Sequence, residues 1–172
     1  MASPSRRQLL LLGAAASGIL VTAWHTVGHL GEYPPLPFTP RALGDKTGAI
    51  LRVLGDWLLP PGGPLPGSGG DDVTLQAIDA FLADLPEHHR TLMLAVPLIF
   101  EHGTALDRLG QDRLTAMPPA EQQRVLDEWF ESTNPLRAQL MTALRMFWNM
   151  SYLERADVQL AMGIPLLCGR PS

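Results

Sequence analysis

The side chains of this sequence that could bind a metal fall into two groups of histidines and acidic residues. His25 and His29 are four residues apart, so a helix would place both on one face, as a metal or haem pair requires. The two halves of the second group are separated by about three helical turns and lack a His-Glu-x-x-His pattern; its members are Glu87, His88, His89, Glu101 and His102. We therefore predict solvated helix residues and no metal ligands.

A second chemical possibility is phosphate binding by the Gly-rich segment from Pro60 to Gly70, which reads Pro-Pro-Gly-Gly-Pro-Leu-Pro-Gly-Ser-Gly-Gly. Phosphate-binding loops follow a strand, keep a dinucleotide spacing or end in Gly-Lys-Ser or Gly-Lys-Thr. This segment has none of these features. We predict a surface connector.

The single cysteine, Cys168, lies near the end of the chain. A lone thiol cannot form a disulfide within its own chain, so in an exported protein it is free, buried or paired with another chain. Its position also excludes a lipoprotein anchor. Such an anchor needs a cysteine just after the N-terminal apolar segment, which here covers residues 9–23.

The start of the chain carries an export address. Arg6 and Arg7 precede a long apolar segment diluted by Gly and Ala, and this opening resembles a twin-arginine signal in which Leu9 takes the place of the usual Phe. Helical residues 9–23 would span about 22 Å, less than the roughly 30 Å of a bilayer core. Residues 1–31 are thus either a signal cleaved near Ala23 or a retained membrane anchor, and the destination is the periplasm, at the cytoplasmic membrane.

The bulk composition limits the function classes. The chain has 172 residues, which suits one domain, and its 13 basic and 17 acidic residues argue against nucleic acid as a partner. Only 17% of the residues are charged, below the average of about 25% for soluble domains. Either a larger subunit covers part of the surface, or the Gly- and Pro-rich loops dilute the charge.

The apolar periodicity predicts an all-α fold, a small helical domain of about five helices in residues 41–172 with Pro/Gly-rich loops. Residues 32–40 read as an extended Pro-rich linker. Thr39 and Pro40 are predicted to start the first helix, Asp71 or Asp72 to cap the second, and Asn134 to cap the last long helix. Asp79 is predicted to face water. On a short helix from Ala120 to Glu131, four side chains are predicted to pack together, namely Val125, Leu126, Trp129 and Phe130.

The last long helix, from Leu136 to about Leu153, has two apolar faces. One stripe is formed by Leu136, Leu140, Leu144 and Phe147, and the second by Met141, Trp148 and Tyr152. A helix with two apolar faces is either central in its domain or packed once inside and once on a partner. For a domain this small we favour the partner, so these three residues are candidate partner-binding residues.

Several features together resemble the subunit 3 family of gluconate 2-dehydrogenases, the small subunits of membrane-associated flavin dehydrogenases. They are the Arg6-Arg7 start, the helix end Leu-Gly-Asp-Trp-Leu-Leu-Pro at residues 54–60 before a Gly/Pro loop, and Tyr152 followed by Gly-Ile-Pro at residues 163–165. The likeness spans nearly the whole chain. None of these features is a catalytic motif.

The resemblance implies a non-catalytic accessory subunit without a cofactor of its own. Its partner would be a large FAD-containing subunit of the glucose-methanol-choline type, which it would help to mature and to cross the membrane, and a cytochrome c subunit often completes such complexes. Ile164 and Pro165 would add to the partner-binding surface, and Cys168 would form a disulfide with the large subunit. Two other classes stay open, namely a membrane-anchored scaffold for an unrelated exported complex and an independent metalloenzyme.

Overall fold

The computed structural model describes residues 32–107 and 112–164, without the side chains of residues 104–107. This part of the chain is all-helical and contains no strand, which confirms the predicted fold class. Six α-helices and one short 3-10 helix occur in it: α1 Asp45–Leu58, α2 Asp72–Asp84, α3 Glu87–Asp107, the 3-10 helix Leu114–Ala116, α4 Pro119–Phe130, α5 Pro135–Asn149 and α6 Ala156–Ala161. No helix within these residues is long and apolar enough to cross a membrane.

The predicted signal or anchor, residues 1–31, lies outside the described residues, so Arg6 and Arg7 do as well. From Tyr33 onward the described chain belongs to one compact unit. Residues 33–40 form no helix, as their prolines predict, yet this segment packs onto the domain. Leu36 lies against the core, and its backbone N–H donates to the Asp45 carboxylate at 3.0 Å.

The core is built from the inward stripes of α1 to α5, with α1 and α5 each packed on α3. Its fully buried large side chains include Ile50, Leu54, Ile78, Leu82, Phe100, Leu126, Phe147 and Trp148. Two sequence-predicted caps are confirmed, since the Asp71 side chain accepts from the Thr74 N–H and the Asn134 side chain accepts from the Leu136 N–H. These caps fix where α2 and α5 begin.

The prediction that the first helix starts at Pro40 is wrong, because α1 begins at Asp45. The prediction that Asp79 faces water is wrong as well. Asp79 is only 4% exposed, and its carboxylate accepts hydrogen bonds of 2.8 to 3.1 Å from the backbone N–H groups of Arg41, Ala42 and Leu43. The Asp79 carboxylate thereby holds these three residues outside the helix and ties them to α2.

Candidate functional site

The predicted partner-binding face of α5 lies inside the domain. Met141 is 4% exposed, and Trp148 and Tyr152 are each 1% exposed. The prediction that these three side chains face a partner is therefore wrong. The cover of Trp148 and Tyr152 comes from the chain itself, because the segment before α2 is hydrogen-bonded to both side chains.

Two hydrogen bonds fix that segment to the two aromatic side chains. The Trp148 indole N–H donates to the Gly69 carbonyl at 2.7 Å, and the Tyr152 hydroxyl donates to the Pro66 carbonyl at 3.1 Å. A buried Trp or Tyr needs a partner for its polar atom, and the Gly/Pro segment supplies both carbonyls. The second apolar face of α5 thus binds the loop of its own domain.

The Leu-Gly-Asp-Trp sequence at the end of α1 explains how the loop reaches this position. Asp56 accepts hydrogen bonds from the Ser68 hydroxyl at 2.6 Å and from the Gly70 N–H at 3.2 Å. The backbones of Gly55 and Gly69 approach so closely that a Cβ on either residue would overlap the other. The predicted surface connector is thus closely packed at its second half, where residues 68–70 are buried.

An ion network holds the start of α2 to the segment before α6. The Arg155 guanidinium donates to the Asp71 carboxylate, to the Thr74 hydroxyl at 2.8 Å and to the Asp157 carboxylate. Burial pushes the pKa of Asp71 up, but the Thr74 and Ser68 N–H groups and Arg155 together hold it below its ordinary value. The charge of Arg155 is therefore matched by two carboxylates within the domain.

The remaining predicted residues are distributed as follows. Ile164 is 44% exposed, as a partner contact requires, whereas Pro165 and Cys168 lie outside the described residues. His25 and His29 lie outside them too. His88 and His89 are exposed with their rings 3.9 Å apart. Within residues 32–107 and 112–164 no three His, Cys, Asp or Glu side chains are grouped as metal ligands would be.

Glu101 was predicted to be solvated, and that prediction is wrong because the residue is 0% exposed. It accepts hydrogen bonds from the Tyr33 hydroxyl at 2.8 Å, the Thr115 N–H at 3.0 Å and the Thr115 hydroxyl at 2.6 Å. The Arg113 Nε lies 3.9 Å from the same carboxylate, and the guanidinium stacks on the Tyr33 ring. Burial, together with the hydrogen bond to Glu101, raises the pKa of Tyr33 to about 12. Tyr33 is thus pinned by its hydroxyl and by its ring.

Next to Glu101, the Lys46 Nζ lies 3.0 Å from the His102 Nε2. An ammonium group can only donate, so this pairing requires an unprotonated Nε2. Burial lowers the pKa of His102, and the positive charge of Lys46 adds to the shift. Burial also lowers the pKa of Lys46. The arrangement favours a neutral His102 in the folded protein.

This pairing predicts a pH dependence of stability. The folded-state pKa of His102 lies below its unfolded value of about 6.5. The contribution of neutral His102 to the free energy of unfolding is therefore complete above about pH 6.5, and it is lost as the pH falls below that value and through the folded-state pKa. The thermal midpoint of the wild type should fall more between about pH 7.5 and about pH 5.5 than that of His102→Gln. Circular dichroism at both pH values measures this. The exposed His88→Gln is the matched control, and a His102→Gln profile parallel to the wild type would contradict the pairing.

A concave groove lies between the end of α1 and the side of α4. It has a volume of about 750 Å³, and its lining includes Val53, Trp57, Leu126, Phe130 and Arg145. The Trp57 and Phe130 rings meet edge to face with centroids 6.0 Å apart, and the Trp57 indole N–H donates to Asp127 at 2.9 Å. The Arg145 guanidinium lies over the Phe130 ring at 4.8 Å. Phe130 is nevertheless 50% exposed.

This groove is the candidate partner-binding site that the sequence reasoning missed. Phe130 was expected to pack with Trp129 inside the domain, but only Trp129 is buried. The two residues are adjacent on a helix, so their side chains point about 100° apart, and on α4 only the Trp129 side chain points into the core. Adjacent residues can both be buried, as Phe147 and Trp148 are, so the sequence alone did not show which of the two aromatic side chains is exposed.

Comparisons with known protein families, with curated proteins and with solved structures found no match.

Proposed function

We propose that this chain is a non-catalytic small subunit that binds a large FAD-dependent dehydrogenase subunit of the glucose-methanol-choline type and escorts it through twin-arginine export. Binding of the large subunit is supported by one observation, the aromatic groove of Trp57, Phe130 and Arg145. Interface centres are enriched in aromatic residues and Arg, and a half-exposed Phe flanked by a Trp and an Arg has that composition. The paired arginines at positions 6 and 7 support the export half.

Other exposed apolar side chains add to the surface that a large subunit would cover. Leu136, Met146 and Met150 of the α5 region are 62%, 48% and 43% exposed, and Ile164 is 44% exposed. Met is common at adaptable binding surfaces because its side chain is flexible and polarisable. A permanent partner would also account for the low charged fraction of the chain. A scaffold for an unrelated exported complex would use the same surfaces. The two proposals differ in whether the partner that co-purifies with this chain contains a flavin.

Export gives the direct test. The variant Arg6→Lys with Arg7→Lys should leave the flavoprotein partner in the cytoplasm, because the paired arginines are the address that the export route reads. Cell fractionation and the flavin absorbance of the periplasmic fraction measure the outcome. Arg124→Lys, a charge-conserving change at an exposed surface position, is the control. Normal periplasmic flavoprotein in the double variant would reject the escort role.

A matched variant separates binding from export. Phe130→Ala leaves the two arginines in place but removes the exposed aromatic side chain of the groove, and truncating an aromatic at an interface centre commonly weakens binding tenfold or more. This chain should then be found in the periplasm with less flavoprotein attached. Equal flavoprotein in Phe130→Ala and wild type would remove the groove from the interface.

A further inference from the structure

The aromatic groove between α1 and α4 is lined by four ionisable residues of the described chain, and three of them already bond within it. The Arg52 guanidinium donates to a carboxylate of α2. Asp56 accepts from two donors of the Gly/Pro segment, and Asp127 accepts from an indole N–H at 2.9 Å. The side chain of the fourth, Arg145, has no hydrogen bond or ion pair to another described residue.

The Arg145 side chain is held beside an aromatic ring that leaves its donors available. Its central guanidinium carbon lies 4.8 Å from the centroid of the Phe130 ring. A ring face attracts a cation but does not satisfy the five N–H donors of a guanidinium. Both residues are exposed, Phe130 to 50%. The groove therefore presents a fork of N–H donors directly beside an apolar surface.

A second arginine of α5 makes a similar ring contact in a different environment. Arg137 lies over the ring of Trp129 at 5.0 Å, but Trp129 is only 6% exposed and Arg137 is partly buried. That pair belongs to the packing of α4 on α5. The pair of Arg145 and Phe130 lies at the open edge of the same two helices, where a partner can reach both side chains.

The donors of Arg145 indicate the chemistry of the group that they would bind. A carboxylate presents two oxygens that match two parallel N–H groups of a guanidinium, and such bidentate pairs are among the stronger hydrogen bonds. A Lys or Arg of the partner would meet Arg145 as a like charge and is disfavoured. Within the described residues Asp127 does not supply the carboxylate, because no ion pair joins it to Arg145.

We propose that the aromatic groove receives an Asp or Glu side chain from an apolar segment of the large subunit. The carboxylate binds the Arg145 guanidinium, and a neighbouring apolar side chain of that segment packs on Phe130. The proposal rests on the proposed function, because it states the chemistry of the segment that occupies the same groove. The ionic contact selects and orients the partner, and the apolar contact adds buried surface.

The test uses the tagged full chain and the large flavoprotein subunit purified after co-expression. Arg145→Glu should lower the affinity for the flavoprotein about 100-fold, because it replaces an attractive pair by two like charges. Arg145→Gln only removes the charge and should lower the affinity about tenfold. Titration followed by flavin absorbance on the tagged chain measures both losses. Arg90→Glu makes the same charge change on α3, outside the groove, and should leave the affinity unchanged.

Ionic strength distinguishes a charge contact from a packing contact. Raising the salt concentration from about 0.1 M to about 1 M shortens the Debye length from about 10 Å to about 3 Å. The wild-type affinity should therefore fall, and the difference between wild type and Arg145→Gln should shrink. The loss caused by Phe130→Ala should change less with salt, because burial of apolar surface is not screened. A salt-independent difference between wild type and Arg145→Gln would overturn the proposal.

Stability and oligomeric state complete the test. Arg145 is exposed, so the thermal midpoints of both variants should stay close to that of the wild type. A lower midpoint would mean that Arg145 supports the fold, and this result would overturn the proposal. A dimer of the isolated chain that Arg145→Glu abolishes would make a second copy the occupant and overturn it as well. Equal flavoprotein binding by wild type and Arg145→Glu would overturn it while the escort role stands. If the wild type retains no flavoprotein, both proposals fall.

Discussion

Replacing Trp148 by Ala should strongly destabilise the domain rather than release a partner. Truncating a buried aromatic costs about 3 to 5 kcal/mol through lost burial and the cavity left behind. Trp148 is 1% exposed, and its indole N–H also holds the Gly69 carbonyl, so the substitution removes packing and a loop contact together. Domains of this size have only about 5 to 15 kcal/mol of stability. Urea unfolding followed by circular dichroism should show a large loss of midpoint.

Two variants on the same helix make this prediction sharp. Trp148→Phe keeps most of the apolar volume but leaves the Gly69 carbonyl without its donor, so it should cost about 1 to 3 kcal/mol. Met146→Ala, at a side chain that is 48% exposed, should change the free energy of unfolding by about 0.5 kcal/mol or less. Trp148→Ala with a normal unfolding midpoint would show that its cover is not the loop of its own chain, and would restore the partner-facing interpretation of α5.

The apolar periodicity was sufficient to predict the helices because each apolar stripe is a local feature of the sequence. The caps at Asp71 and Asn134 were predictable for the same reason, since a cap bonds to a backbone group two or three residues away. Periodicity also identified the second face of α5. It could not identify what covers that face, because the covering carbonyls of Pro66 and Gly69 are 79 or more residues away.

The two buried carboxylates were missed although their positions carried a signal. Asp79 lies four residues after the buried Leu75 and three before the buried Leu82. Glu101 lies four residues after the buried Pro97 and three after Leu98, which packs on the core. Both therefore fall on the inward stripe of their helix. Acidic residues are almost never fully buried unless they are paired, and their partners come from distant segments of the chain that no local pattern displays. An acidic residue in the register of a core stripe is best interpreted as a tether for such a segment.

Glu101→Ala should be the most damaging change at a polar position. Removing one partner of a buried charged pair costs about 3 to 5 kcal/mol, because the groups left behind stay buried without compensation. The Tyr33 hydroxyl and both donors of Thr115 lose their acceptor, and Arg113 loses a carboxylate 3.9 Å away. Urea unfolding followed by circular dichroism should show a loss of this size.

Graded variants test whether the loss comes from the carboxylate itself. Glu101→Gln keeps the shape and one acceptor oxygen, so its loss should be smaller than that of Glu101→Ala. Tyr33→Phe removes a single donor and should cost about 1.5 to 3 kcal/mol, the usual contribution of a hydrogen bond to a charged group. Limited proteolysis should also cut Tyr33→Phe faster between residues 33 and 40, because the Tyr33 hydroxyl holds that segment to α3. A loss below about 1 kcal/mol for Glu101→Ala would mean that water, and not Tyr33 and Thr115, solvates this carboxylate.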